Sequence, residues 1–284
     1  MVPASESHGT TTALSNPMIA NARMYSVNDA TAVAWRTLLQ WVIARAGVSA
    51  EVIDYPAPEP LETLWQRPDL CGVFMCGFPL SQMMARPIVL AAPVPAPPAF
   101  DNAPVYWTDL VVRADAPFEN IRDTFGHRIA YTMVNSQSGY QAPRQFLAPF
   151  ARLRGPLFSE TVGPLVTPRR VVDSILAGES DVGPLDSYVH ALLRVTEPSL
   201  TGQLRVVAST ARTPIPPLVA SAGSSPVDVE RLRDALHEVA DAEELVRERA
   251  TLALQRFAPM PAATYDELVQ RAAMADAEGY RHLA

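Results

Sequence analysis

Apolar positions along the chain fall into two kinds of stretch, short continuous runs and runs spaced by three and four, and the two alternate. A short strand is expected at Arg23-Met24-Tyr25-Ser26-Val27. After Asn28-Asp29, which suit a helix N-cap, Val33, Trp35, Leu38, Leu39, Val42 and Ile43 recur at helical spacing, and Gly47 suits the helix end. Ala50 to Tyr55 reads as a second strand, Pro56 to Pro60 as a linker and Leu61 to Trp65 as a short helix. Leu70 to Cys76 is a third strand, broken at Gly77-Phe78-Pro79 before a helix from Leu80, and Pro87 to Pro95 is a fourth. Strands alternating with helices predict a parallel sheet with both faces covered.

The pattern restarts after the Pro-rich loop Pro93 to Pro104. Strands are predicted at Val105 to Arg113, His127 to Val134, Phe158 to Val162 and Asp181 to Leu185. Helices are predicted at Phe118 to Phe125, Gly139 to Leu153, from Pro168 to about Leu176, and Tyr188 to Val195. Leu204 to Ala208 and Leu218 to Ser221 read as strands around the stiff turn Thr213-Pro214-Ile215-Pro216-Pro217, followed by helices Val227 to Ala240, Glu243 to Leu254 and Tyr265 to Tyr280. Two α/β units of similar build predict two lobes, crossed by the chain at Val105–Arg113 and Leu204–Ala208. Lobe one spans 18–108 with 205–255, lobe two spans 109–204, and 256–284 is a C-terminal helical extension. A ligand would sit between the lobes, at the carboxyl ends of strands.

Composition narrows the function. At 284 residues the chain can bury a large core, and its 27 prolines make the connections stiff. The net charge of −7 argues against a nucleic-acid partner, which needs a basic face. No apolar run reaches membrane-spanning length. Met1 to Pro17 is Ser/Thr-rich, without the basic and apolar regions of a signal peptide; it reads as a disordered tail, with Met18 as an alternative start. On the sequence alone the chain is cytoplasmic, or its leader is missing. Cys71 and Cys76 lie in one apolar strand, which suits neither a disulfide nor a metal site. With neither a Walker loop nor GxGxxG, no cofactor is expected; the scattered histidines offer no catalytic pairing with Ser or Cys.

The chemistry concentrates in Asn135-Ser136-Gln137-Ser138-Gly139-Tyr140, between a strand and a helix. The first turn of a helix has unpaired amides and partial positive charge, so these hydroxyls and amides can hold an anion. Either serine alone can equally be an N-cap. Three other turns face the same crevice: Tyr25-Ser26, Cys76-Gly77-Phe78 and Asp186-Ser187. Tyr25, Phe78, Tyr106 and Tyr140 can wall it or belong to the core. Asp186 can oppose the ligand or cap the helix after it. Arg169 can bind the anion or sit in solvent, and Cys76 can be activated at a helix start or simply buried.

Taken in order, Cys76-Gly77-Phe78-Pro79-Leu80, Asn135-Ser136-Gln137-Ser138-Gly139-Tyr140, Ala177-Gly178-Glu179-Ser180-Asp181-Val182-Gly183 with Asp186, and Thr213-Pro214-Ile215-Pro216-Pro217 resemble the PhnD-like phosphate, phosphite and phosphonate-binding components of ABC transporters. The resemblance covers residues 20 to 255. It implies a two-lobed type 2 periplasmic-binding-protein fold, each lobe a mainly parallel sheet flanked by helices and joined by two crossing strands. It implies a periplasmic, non-catalytic solute-binding protein, with a membrane permease as partner and a small anion as ligand. Gly77, Phe78, Ser136, Gln137, Ser138, Gly139, Tyr140, Tyr106, Tyr25, Arg169 and Asp186 are the expected ligand-binding residues. The alternatives are a cytosolic enzyme on the same fold, resembling thiamine-pyrimidine synthases or chorismate dehydratase, and a ligand-sensing module. Where many members carry a Ser-His pair, this chain has Thr167-Pro168-Arg169, and proline offers no N–H. The expectation is therefore a monoanionic organic ligand with an apolar or aromatic part and a hydrogen-bond donor, rather than inorganic phosphate.

Overall fold

The structure, a computed structural model, describes residues 17–283. The tail expected over 1–17 lies, apart from Pro17, outside the described residues. The first half comprises β1 (Met18–Asn21), α1 (Asp29–Ala46), β2 (Ala50–Val52), α2 (Leu61–Trp65), β3 (Leu70–Phe74), α3 (Gly77–Gln82), β4 (Ile88–Pro95), β5 (Val105–Tyr106), β6 (Thr108–Arg113) and β7 (Arg128–Ala130). Then come α4 (Ala142–Arg154), β8 (Glu160–Val162), α5 (Pro168–Leu176), β9 (Gly183–Asp186), α6 (Ser187–Thr196), α7 (Pro198–Thr201), β10 (Leu204–Ser209), β11 (Thr213–Pro214) and β12 (Leu218–Ala220). The chain ends with α8 (Pro226–Glu238), α9 (Val246–Thr251), β13 (Leu254–Ala258) and α10 (Asp266–Ala277).

Two sheets result. One has the order β13-β4-β12-β3-β1-β2, with β1, β2, β3 and β4 in one direction and β12 and β13 against them. The other places β6 antiparallel between β10 and β9, while β7 and β8 run parallel and join β9 through the Ile129–Val182 bridge. In each sheet the reversed inner strand, β12 or β6, is the one the chain enters straight after crossing between them. The crossings lie side by side: β5 pairs antiparallel with β11, and the Thr210 amide donates to the Thr108 carbonyl at 2.9 Å. The first crossing, expected as one strand, breaks at Trp107, whose amide donates to the Ser187 hydroxyl instead of a ladder partner.

Local chemistry explains most boundaries. Asn28 and Thr31 form a reciprocal capping box on α1, and Gly47 ends it in the left-handed conformation at φ 62°. Trp35, Leu38, Leu39 and Val42 on its inner face are buried, each stabilising the fold by roughly 1.5–3 kcal/mol. Two expectations are corrected. The first strand is Met18–Asn21, and Arg23–Tyr25 is a 3-10 turn, because the Asn21 side chain accepts the Arg23 amide and donates to the Ile53 carbonyl. The helix expected to run to Leu254 ends at Thr251, and Leu254–Ala258 becomes the edge strand beside β4. The last helix is not peripheral: Tyr265, Leu268 and Ala272 are buried in the core of the first sheet, and Ala275, Tyr280 and Leu283 in the core of the second. No helix among the described residues is long and apolar enough to cross a membrane.

Candidate functional site

A cavity of about 260 Å³ lies where the two sheets face each other, walled by segments from Arg23 to Pro216. The helix before α4 opens as a wide turn, Gln137–Gln141, and Ser136 caps it by accepting the Gly139 amide at 3.0 Å. Gly139 is required by packing, since a Cβ there would stand 1.8 Å from the Thr132 hydroxyl. The Ser138 amide has no acceptor among the described residues. The Ser138 hydroxyl lies 3.3 Å from Oδ2 of Asp186, across from the end of β9.

Asp186 caps α6 with Oδ1, which accepts the Tyr188 and Val189 amides at 2.8 and 3.1 Å. Burial pushes its carboxyl up from 3.8 to about 7, against the amides and Ser138, which favour the charged form. Near neutrality it is thus divided between a proton donor and an anion. Around it, the hydroxyls of Tyr25, Tyr106 and Thr132 are buried without a hydrogen-bond partner. Ser138 lies beside the Tyr106 hydroxyl without completing a hydrogen bond to it. Leaving such groups unpaired costs about 1–3 kcal/mol each.

Of the residues expected from sequence, Tyr25, Tyr106, Ser136, Ser138, Arg169 and Asp186 line the cavity, and Gly77, Phe78, Gln137, Gly139 and Tyr140 do not. Gly77 and Phe78 turn towards α10, where a Cβ on Gly77 would meet Leu268 and Tyr265 at 2.8 Å. Gln137 is buried, its amide donating to the Cys76 sulfur at 3.4 Å. Tyr140 packs edge-on against Tyr131 in the second core. The Cys76 thiol does line the cavity, but burial pushes it up to about 11, so it stays protonated at a helix start that would otherwise activate it. Arg169 is committed elsewhere: Nη1 bonds both Glu197 oxygens at 2.8 Å and Nε bonds Asp173 at 3.0 Å. Glu197 also accepts from Asn28 at 2.7 Å, tying the start of α1 to the end of α6.

Sequence reading missed Arg23, Glu62, Thr132 and Thr167 as cavity residues, while Asn135, the first residue of the Ser-rich stretch, does line it. Asn135 donates to Glu62 across the cavity from α2. Thr132 could have been found from its place two residues beyond the β7 strand end, facing the Ser-rich turn; Arg23 was hidden by its assignment to a strand.

A model of the periplasmic substrate-binding protein of phosphonate ABC transporters matches residues 73–265, more than half of the chain. No curated protein sequence matches. Among solved structures, a binding-protein component of an ABC phosphonate transporter from Pseudomonas aeruginosa superposes with a TM-score of 0.77 at 18% identity, covering 93% of this chain and 88% of that one. PhnD1 from Prochlorococcus marinus, in complex with methylphosphonate, gives 0.75 at 16% identity over 92% and 98%. A Xanthomonas citri protein bound to ATP gives 0.63 at 18% identity over 95% and 100%. The fold is the two-lobed type 2 periplasmic-binding architecture. The matched family consists of substrate-binding transport components rather than enzymes, and the chain belongs to it: this is a phosphonate-family periplasmic substrate-binding protein of the ABC-transporter class.

Proposed function

We propose that the chain captures a small monoanionic organic ligand in this cavity, and that closure of residues 109–204 against 18–108 with 205–255 shuts it in for delivery to a membrane permease. The carrying observation is the cluster of buried, unpartnered hydroxyls of Tyr25, Tyr106 and Thr132. A ligand's acceptor oxygens would satisfy all three, so their cost without a ligand is recovered on binding. The head group sits at the Ser136–Ser138 turn, where the Ser138 amide and hydroxyl join them as donors. Arg169 brings no free charge, because Glu197 and Asp173 hold it. Asp186 donates in its protonated form and opposes a second negative charge in its ionised form. Both features favour one negative charge over two.

The volume supports an organic body: about 260 Å³ has room for on the order of ten water-sized groups, and Met24, Leu61, Trp65 and Val189 give it apolar walls. Titration calorimetry with methyl methylphosphonate, longer phosphonate monoesters, organic carboxylates and inorganic phosphate tests the reading. Binding of one of the organic monoanions, with silence from phosphate, is expected. Micromolar or tighter phosphate binding overturns the charge selection, and chemical conversion of a bound ligand overturns the transport role.

A further inference from the structure

A wider groove of about 890 Å³ runs outward beside the cavity, over α1 and the loop after β2. The two spaces share Arg23, Ser26 and Thr167 in their walls, so Arg23 stands at the passage between them. Its guanidinium is held in place: Nη1 donates to the Glu59 carbonyl, and Cζ lies 5.6 Å from the centre of the Tyr55 ring. Neither contact neutralises the charge. Nε and Nη2 have no acceptor among the described residues and no carboxylate bonds the guanidinium, whereas Arg169 on the same wall is paired with the Asp173 and Glu197 carboxylates. Beside Arg23 stands Glu62, one oxygen of which accepts from Asn135.

Resting on the head-group placement above, we propose that the ligand is elongated. Its tail brings an uncharged hydroxyl or amide to Arg23 and Glu62, at the threshold of the groove. The reasoning is one of complementarity. Arg23 offers donors and Glu62 an acceptor, so a group that both accepts and donates satisfies each. A second anion at the passage would meet Glu62, with Asp29 further along the groove, and a cation would meet Arg23. The Arg36–Asp54 ion pair leaves Arg36 without spare charge to change that balance. Arg23 is then the residue that distinguishes a tailed ligand from a bare head group.

The test measures affinities of the wild type, Arg23→Met and Ser138→Ala by calorimetry. The ligands are methyl methylphosphonate, a series of straight-chain alkyl methylphosphonate monoesters, and the same esters with a terminal hydroxyl. In the wild type, hydroxyl-tipped esters of one chain length should bind about tenfold to a hundredfold tighter than plain ones. Arg23→Met should erase that preference and weaken methyl methylphosphonate by a smaller factor than it weakens the hydroxyl-tipped esters. Equal affinity of tipped and plain esters at every length overturns the proposal, as does an Arg23→Met loss equally large for methyl methylphosphonate. Failure of the head-group placement shows separately, as Ser138→Ala leaving every affinity unchanged.

Discussion

Asp186 gives the sharpest test, because one substitution separates its two oxygens. In Asp186→Asn, Oδ1 can still accept the Tyr188 and Val189 amides, while the group at Oδ2 becomes a permanent donor. The variant therefore imitates the protonated acid at every pH. Burial raises the native carboxyl from its ordinary 3.8 to about 7. Between those values the folded chain holds a proton on this group that the unfolded chain has released, so the contribution of Asp186 to stability is fully present below about pH 4 and is lost as pH rises towards 7. At 1.36 kcal/mol per pH unit, the loss between pH 5 and pH 8 is about 3 kcal/mol, complete once the folded group has ionised. Urea denaturation of wild type and Asp186→Asn at both pH values should show the variant gaining about that much relative to wild type on going to pH 8. Ligand affinity should move in parallel. If an anionic head group requires the protonated carboxyl, wild-type affinity for methyl methylphosphonate, which keeps a single charge over this range, should fall about tenfold per pH unit above 7. Asp186→Asn should hold its affinity from pH 6 to pH 9. A wild-type affinity that is flat across that range, or a variant that keeps the slope, refutes the reasoning.

Ser138→Ala should weaken binding of a monoanion about tenfold to a hundredfold by calorimetry, since a hydrogen bond to a charged group contributes about 1.5–3 kcal/mol, and should leave urea stability almost unchanged because Ser136 is the cap. Tyr106→Phe removes a buried hydroxyl that has no protein partner, so the unliganded variant should be as stable as wild type or more stable by about 1 kcal/mol, while binding less tightly. Gly139→Ala drives a methyl into Thr132 and should destabilise the fold by about 1–3 kcal/mol by urea titration, with loss of binding at the same site.

The sequence made the Ser-rich turn legible because hydroxyls and glycine crowd together exactly where a strand run gives way to helical spacing, and a strand end in an α/β unit faces a crevice wherever the sheets are placed. Arg23 was not legible in the same way. Its run reads as a strand by composition, and only the Asn21 side chain, bonded to Ile53 just past β2, turns it into a 3-10 segment aimed at the cavity. Gly77 and Phe78 carried the same local signal as the Ser-rich turn, glycine at a strand end. Their partners, however, are Tyr265 and Leu268, nearly two hundred residues on. Close approach demands glycine whether the neighbour is a ligand or a helix, so the residue type alone does not choose between them. Likewise the break at Trp107 in the first crossing goes with its amide bonding Ser187, a contact that no periodicity within the strand encodes.

Cap and ligand contact turn out not to compete at this site. Ser136 spends its hydroxyl on the Gly139 amide, which leaves Ser138 uncommitted to the turn and directed at Asp186. Asp186 spends Oδ1 on two amides of α6, which fixes the side chain so that Oδ2 faces Ser138. Capping supplies the orientation, and what remains unspent is held rigidly on two facing elements, the turn after β7 and the start of α6 after β9, both anchored in the second sheet. A flexible serine or aspartate would lose side-chain entropy on meeting a ligand; here the helix start has already fixed the aspartate and the turn the serine. The same economy explains Arg169, which lines the cavity yet spends its charge on Glu197 and Asp173. With that charge withdrawn, recognition of the head group falls to neutral donors and a carboxyl poised near neutrality, while the guanidinium of Arg23 stands at the passage to the groove, so head-group selectivity depends on hydrogen-bond geometry and protonation more than on net attraction.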